Sequence, residues 1–283
     1  MRVPLHIVKA RRERLAALVA RHGFLPIQEL CRQLGVSEAT TRRDLSALQG
    51  EKKIKRTYGG AISEFDSRFP SFTDRQDQAK PGKEKIALTA LSFLTPGGTY
   101  FFDAGTTVYA IAEALSLHPI TPLKIVTSSI PAAEILAGVN GIDVFLVSGQ
   151  LLPRQSVLIG EMAIRSLSFW HFDLAFLSAE GINDAGIWNT QETVVEQQKA
   201  VLRRSRRAVF CIDASKLNQH TLHFLMSWSE VDLLLTDLPW KKIELAGIKM
   251  TASQYCLATG KGRFEDHPHP INSDSGALPI HIL

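Results

Sequence analysis

Between two helix-length apolar patterns the chain leaves only three residues, Gly35-Val36-Ser37. This short turn constrains the first part of the chain more than any other feature. Before it, Ile27, Leu30, Cys31 and Leu34 recur at helical spacing and form one apolar face. Gly35 can take the positive φ that ends a helix tightly. Ser37 can cap a second helix, with Glu38 in its positively polarised first turn. Two short helices about such a turn make a helix-turn-helix. On the second helix, Thr41, Leu45 and Leu48 share a face and should pack on the first. Ala39, Arg43 and Ser46 point the other way, flanked by Thr40 and Arg42. Small residues beside arginines suit a helix in the DNA major groove, where Arg grips guanine with a bidentate fork. The bland alternative is a solvated arginine face on an ordinary helical hairpin. The adjoining basic segment favours DNA. Lys52, Lys53, Lys55 and Arg56 lie on a short β-like run that turns at Tyr58-Gly59-Gly60. That is a basic wing, placed to touch phosphate or minor groove. The expected DNA-contacting set is Ser37, Glu38, Ala39, Thr40, Arg42, Arg43, Ser46, Lys55 and Arg56.

Charge supports the same division. Residues 1–60 hold 13 of the 32 Lys+Arg but only 5 of the 28 Asp+Glu, so a net +8 is followed by a remainder of −4. A basic first fifth ahead of a mildly acidic body suggests one segment for polyanions and another for something else. Lys9 to His22 reads as a helix with Leu15, Leu18 and Val19 inward, leaving Arg11, Arg12 and Arg14 for phosphate contacts or for solubility alone. Residues 1–62 thus form a small DNA-binding domain. The polar, proline-containing stretch 63–82 reads as a linker, laid against a domain by Phe65, Phe69 and Phe72.

From Lys83 to residue 258 helices alternate with apolar strands. Helices are expected at 83–94, 107–117, 131–138, 192–204 and roughly 227–230. Strands are expected at Thr99–Phe102, 123–127, 142–147, Leu174–Ser178, Ala208–Ile212 and Leu233–Thr236. That order implies an α/β domain with a mainly parallel sheet covered on both faces. The stretch 259–283 lacks periodicity, and its His267, His269 and His281 fit a disordered tail better than a metal site. Cys31, Cys211 and Cys256 are widely spaced and suit buried thiols. No cofactor or metal is expected, and no stretch has the length and apolarity of a signal peptide or membrane span, so a cytoplasmic protein is expected.

Ligands of open α/β sheets sit beyond the carboxyl ends of the strands. Four polar sequences fall at such ends: Asp103 to Thr107, Thr127-Ser128-Ser129, Ser148-Gly149-Gln150 and Asp213 to Lys216. Gly105, Thr106 and Thr107 at a helix start suit a phosphate. Asp103 can accept from sugar hydroxyls, and Lys216 adds positive charge. Each alone also reads as ordinary helix capping; four together point to a pocket.

Two of these stretches also carry a family resemblance. Val36-Ser37-Glu38-Ala39-Thr40-Thr41-Arg42-Arg43-Asp44-Leu45 and Arg56-Thr57-Tyr58-Gly59-Gly60-Ala61 resemble the DNA-binding signature of the DeoR/GlpR family of bacterial regulators. The likeness runs over roughly residues 7 to 238, through Glu84 to Ala87, Asp103 to Thr107, Gly160-Glu161, Asp173 to Phe176, Gly181-Ile182 and Asp213 to Lys216. It implies an N-terminal winged helix-turn-helix and a C-terminal Rossmann-like sensor. The sensor would be related in fold to ribose-5-phosphate isomerase and would bind phosphorylated sugars. It also places the effector against Asp103, Gly105, Thr106, Thr107, Ser128, Ser129, Gly149 and Lys216. This chain departs from the family at Thr41, usually isoleucine, which predicts looser packing. Ser128, usually asparagine, and Gln150, usually glycine, predict a pocket of different shape.

Two functions are compatible with these features. The first is a transcription regulator, a repressor of a sugar-utilisation operon relieved by a phosphorylated sugar, working as a homodimer or homotetramer on two-fold operator DNA. The alternative is a sugar-phosphate isomerase with a DNA-binding head, using Asp103, Glu192, Asp213 and Lys216 as an acid/base set.

Overall fold

The computed structural model describes residues 4–22, 24–51, 53–57, 60–63, 70–219 and 221–260. In the head, α1 (Leu5–His22) is followed by the short strand β1 (Phe24–Pro26), then α2 (Ile27–Leu34) and α3 (Glu38–Gly50). Gly35 ends α2 with φ 65°, and its N–H donates to the Cys31 carbonyl. Ser37 caps α3 by accepting from the Thr40 N–H at 3.3 Å. Next, β2 (Ile54–Thr57) and β3 (Gly60–Ser63) pair antiparallel, and β1 joins the free side of β3. The wing is thus the outer hairpin of a three-stranded sheet. Leu15, Val19, Leu25, Leu30, Leu45, Leu48 and Ile54 fill the head's core. Thr41 is buried there. Its hydroxyl donates to the Ser37 carbonyl at 3.2 Å and lies 3.3 Å from Cys31 Sγ, so the polar group in the core is satisfied.

The stretch read as a linker is partly structured. Within it lie α4 (Phe72–Gln76) and the start of α5 (Lys80–Ala90). Phe72 is buried edge-on against Tyr109, so that ring does anchor the segment; Phe65 and Phe69 lie outside the described residues.

The body continues with β4 (Thr99–Phe102), α6 (Thr106–Leu117), β5 (Leu123–Thr127), α7 (Ile130–Ala137) and β6 (Ile142–Leu146). A hairpin of β7 (Gln150–Leu152) and β8 (Val157–Ile159) leads to α8 (Glu161–Leu167) and β9 (Leu174–Leu177). Then come β10 (Gly181–Asn183), β11 (Gly186–Asn189), α9 (Glu192–Leu202), β12 (Ala208–Cys211), β13 (His223–Met226), β14 (Leu233–Thr236), α10 (Trp240–Leu245) and β15 (Tyr255–Leu257). Seven strands form one parallel sheet in the order β15-β14-β12-β9-β4-β5-β6. Helices cover both faces, and Tyr100, Phe101, Phe102, Phe176 and Phe210 are almost completely buried between them. Each such ring contributes about 1.5–3 kcal/mol. β10, β11 and β13 form a small antiparallel sheet at the strand ends. From β4 the chain runs outward through β5 and β6, then returns to β9 on the other side of β4. The direction of winding therefore switches between β4 and β9, where a crevice opens.

Candidate DNA-reading face and effector site

On α3 the outward positions behave differently from one another. The Ser37 hydroxyl is used as the helix cap and lies 3.0 Å from the Thr40 hydroxyl. Arg42 donates to Glu38 one turn back, at 2.9 Å from Nε and 2.6 Å from Nη2. Ser46 donates to the Arg42 carbonyl. Ala39 and Arg43 are exposed, and no ion pair holds Arg43 among the described residues. Arg43 is therefore the guanidinium most ready to read a base, whereas Arg42 must first leave Glu38. Lys55 and Arg56 sit on β2, the outer strand of the wing, beside Gly60 to Ile62 of β3. Lys52, Tyr58 and Gly59 lie outside the described residues.

Two of the arginines read as available for phosphate hold a buried carboxylate. Arg11 Nε donates to Asp44 Oδ2 at 2.6 Å and Arg12 Nε to Asp44 Oδ1 at 2.9 Å, tying α1 to a buried carboxylate of α3. Asp44 is 2% exposed and would be costly without these partners. Arg14 remains exposed.

In the body, the crevice between β4 and β9 is a cavity lined by Asp103, Gly105, Thr106, Thr107 and Lys216 of the expected set, together with Arg75, Gln155, Ser178, Glu180, Gln197 and Gln198. Asp103 organises it. Its Oδ2 accepts from the Ser178 N–H at 3.0 Å, the Ser178 hydroxyl at 2.8 Å and Gln198 Nε2 at 2.8 Å, while Oδ1 accepts from the Ala104 N–H. Gln198 also donates to the Ser178 carbonyl and accepts from Asn189 Nδ2 at 2.7 Å. Asp103 therefore locks β4 to β9 and α9 while it lines the cavity. Gly105, which precedes α6, lies against Ser178. A Cβ built on it would overlap the serine Oγ and Cβ. Thr106 and Thr107 then open α6 and line the cavity, and no side chain caps this helix end among the described residues.

Two acceptors stand ready in this space. Glu180 Oε2 and Gln197 Oε1 are out of reach of solvent and have no hydrogen-bond partner among the described residues. Burial pushes the Glu180 carboxyl up, while a bond from Thr190 and the nearby Arg75 and Lys216 act against that. Behind the cavity, burial draws Lys83 down to about 8 despite the attraction of Asp213. Its Nζ donates to the Arg75 carbonyl.

Ser128, Ser129 and Gly149 do not line the cavity. The β7–β8 hairpin lies across the end of β5: the Leu158 N–H donates to the Ser128 carbonyl, the Ile130 N–H to the Ser156 carbonyl, and Ser129 bridges to Val157. The hairpin's own Gln155, Val157 and Ile159 face the space instead. Ser129 caps α7, and Gly149 lies against the Ile159 backbone.

A model described as the DeoR C terminal sensor domain matches residues 78–238, and one described as the DeoR-like helix-turn-helix domain matches residues 11–65. The chain belongs to the DeoR family. It is a DNA-binding transcriptional regulator. It is 31% identical over 229 residues to the HTH-type transcriptional repressor GlcR of Bacillus subtilis, covering 80% of this chain and 88% of that one. It is likewise 31% identical over 230 residues to the glycerol-3-phosphate regulon repressor of Escherichia coli, covering 81% and 90%. Among solved structures, ribose 5 phosphate isomerase A from Neisseria gonorrhoeae aligns with a TM-score of 0.34 at 18% identity, over 49% of this chain and 53% of that one.

Within this DeoR-family chain, sequence reasoning missed Arg75, Gln155, Ser178, Glu180, Asn189, Gln197 and Gln198. A signal for one of them existed. Val194, Gln198 and Val201 fall on one face of a helical pattern, and an amide on an apolar stripe asks for a buried partner. Arg75 carried no such sign, because it stood in a polar stretch without periodicity.

Replacing Arg43 with alanine is expected to weaken operator binding by about 1–3 kcal/mol at one base pair and relax the preference there. Competition assays over single-base operator variants check this; equal weakening on every sequence makes Arg43 a phosphate contact.

Proposed function

We propose that this regulator represses a sugar or carbohydrate catabolic operon and releases its operator when a phosphorylated sugar enters the β4–β9 cavity. One observation carries the reading. Two cations, Arg75 and Lys216, stand beside the α6 N-terminus, and the unpartnered acceptors Glu180 Oε2 and Gln197 Oε1 line the same space. A phosphate suits the cations and the helix end. Hydroxyl donors suit the two acceptors. The names of the relatives support a repressor of sugar-related genes. The regulator works in the cytoplasm as a homodimer or homotetramer, because two-fold operators call for two heads. No helix among the described residues is long and apolar enough to cross a membrane.

The isomerase reading has less support. Of Asp103, Glu192, Asp213 and Lys216, only Asp103 and Lys216 line the cavity. The Asp103 carboxylate is occupied by Ser178 and Gln198, and Asp213 Oδ1 accepts from the Ser215 N–H and hydroxyl. Binding without turnover fits this arrangement better.

Thermal unfolding with glycerol 3-phosphate, ribose 5-phosphate and glucose 6-phosphate, each beside its unphosphorylated parent, tests the proposal. A true effector at 100 times its Kd adds about 2.7 kcal/mol of stability and displaces operator DNA. Stabilisation by the unphosphorylated parent alone, or isomerase turnover, overturns it.

A further inference from the structure

Among the described residues, Arg75 is the one cavity-lining residue contributed by the stretch between the head and the first strand of the large sheet; the others all lie beyond residue 100. It sits on α4, which is held on several sides. Ser71 and Asp74 close a capping box at its start. The Phe72 ring meets Tyr109 of α6 edge-on at 5.1 Å, and the Phe72 N–H donates to the Arg154 carbonyl in the β7–β8 turn at 2.7 Å. Lys83 Nζ holds the Arg75 carbonyl. Eight residues separate the last wing strand from α4, a reach of at most about 32 Å from Ser63 to Phe72 when extended. Wherever α4 is fixed, the head's range is limited.

We propose that Arg75 is the residue through which effector occupancy reaches the DNA-binding head. This rests on the reading of the cavity as the effector site. The effector's phosphate grips the Arg75 guanidinium and fixes α4 against α6 and the β7–β8 hairpin. The short connection then restricts where the head can sit on an operator. Lys216 grips the same phosphate from the body, so it contributes affinity without transmission. Coupling of this kind requires the effector to bind the α4-docked arrangement better than the undocked one.

Fluorescence anisotropy of operator DNA bound to the full chain separates these roles, titrated with glycerol 3-phosphate, ribose 5-phosphate and glucose 6-phosphate. Lys216→Gln should raise the midpoint of release at least tenfold yet still release fully at saturation. Arg75→Gln should lower the release amplitude at saturation below one fifth of wild type, with binding of the same compound verified by thermal shift. Full release from Arg75→Gln overturns the proposal. If no compound displaces wild-type protein, the effector reading itself fails, and a ligand-free arm still tests the transmission. Lys83→Met, which removes the bond to the Arg75 carbonyl, should tighten operator binding at least threefold while the body stays folded by circular dichroism. Unchanged or weaker DNA binding by Lys83→Met overturns the role of α4.

Discussion

Replacing Asp44 with alanine is expected to lower the melting temperature of the DNA-binding head by about 12–24 °C, the equivalent of about 3 kcal/mol in a domain of this size. The carboxylate is 2% exposed and accepts from both Arg11 and Arg12. Removing one partner of a buried pair costs about 3–5 kcal/mol, because the remaining charge keeps its desolvation without its attraction. Arg11 and Arg12 retain 16% and 32% of their side-chain exposure, so water offsets part of that loss. Domains near 60 residues have little stability to spare, and about 3 kcal/mol is a large share of it. Calorimetry should show the head's transition moving while the body's stays. A head transition that does not move would mean that the pair contributes nothing. The same geometry discriminates between two roles for Arg11. As a phosphate contact, Arg11→Ala would reduce the salt slope of DNA binding by about one. As a partner of Asp44, it should leave the slope unchanged and lower the melting temperature instead.

This pair also shows where the sequence is legible and where it is not. The helix-turn-helix is written locally: the Gly35 turn, the Ser37 cap and the Leu45–Leu48 stripe lie within fifteen residues and need no long-range information. Asp44 is part of that stretch, but its partners lie 32 and 33 residues away, on a helix whose arginines look solvated in one dimension. The body repeats the contrast. Strands Thr99–Phe102 and Leu233–Thr236 fall where expected because continuous apolar runs between helices have few other solutions. The three-residue strands β7, β8 and β10 are too short for a periodic signal, and the hairpin that β7 and β8 build is what covers Ser128 and Ser129. Strand order is the deeper gap. Four polar strand ends are equivalent in sequence, and only the order β12-β9-β4-β5 puts Asp103 and Ser178 on either side of the switch point while leaving Ser128 one strand away. Asp103 to Thr107 could be found from residues; that Ser178 would be its partner could not.

Gly105→Ala is the sharpest test of that partnership. It is expected to weaken effector binding at least tenfold while operator binding persists. The φ of Gly105 is −70°, which suits any residue, so the requirement for glycine comes from contact alone. The added methyl would overlap both Oγ and Cβ of Ser178. Rotating the hydroxyl relieves only the first overlap, so the ends of β4 and β9 must separate. Overpacking of this kind costs about 1–3 kcal/mol. Separation strains the three bonds that Asp103 Oδ2 accepts from Ser178 and Gln198, and it tilts the α6 N-terminus away from the cations. A loss of about 1.4 kcal/mol in effector binding is tenfold in Kd. Removing the obstruction should then repair the damage. In the double variant Gly105→Ala with Ser178→Gly, the methyl has room and the residue 178 N–H still reaches Asp103, so both stability and effector affinity should recover relative to Gly105→Ala alone. Such a coupling energy between adjacent sites is what a double-mutant cycle measures. If the double variant is no better than the single, Gly105 serves the approach of the ligand to the backbone, not the packing of the two strand ends. If Gly105→Ala alone behaves as wild type, the effector site lies elsewhere.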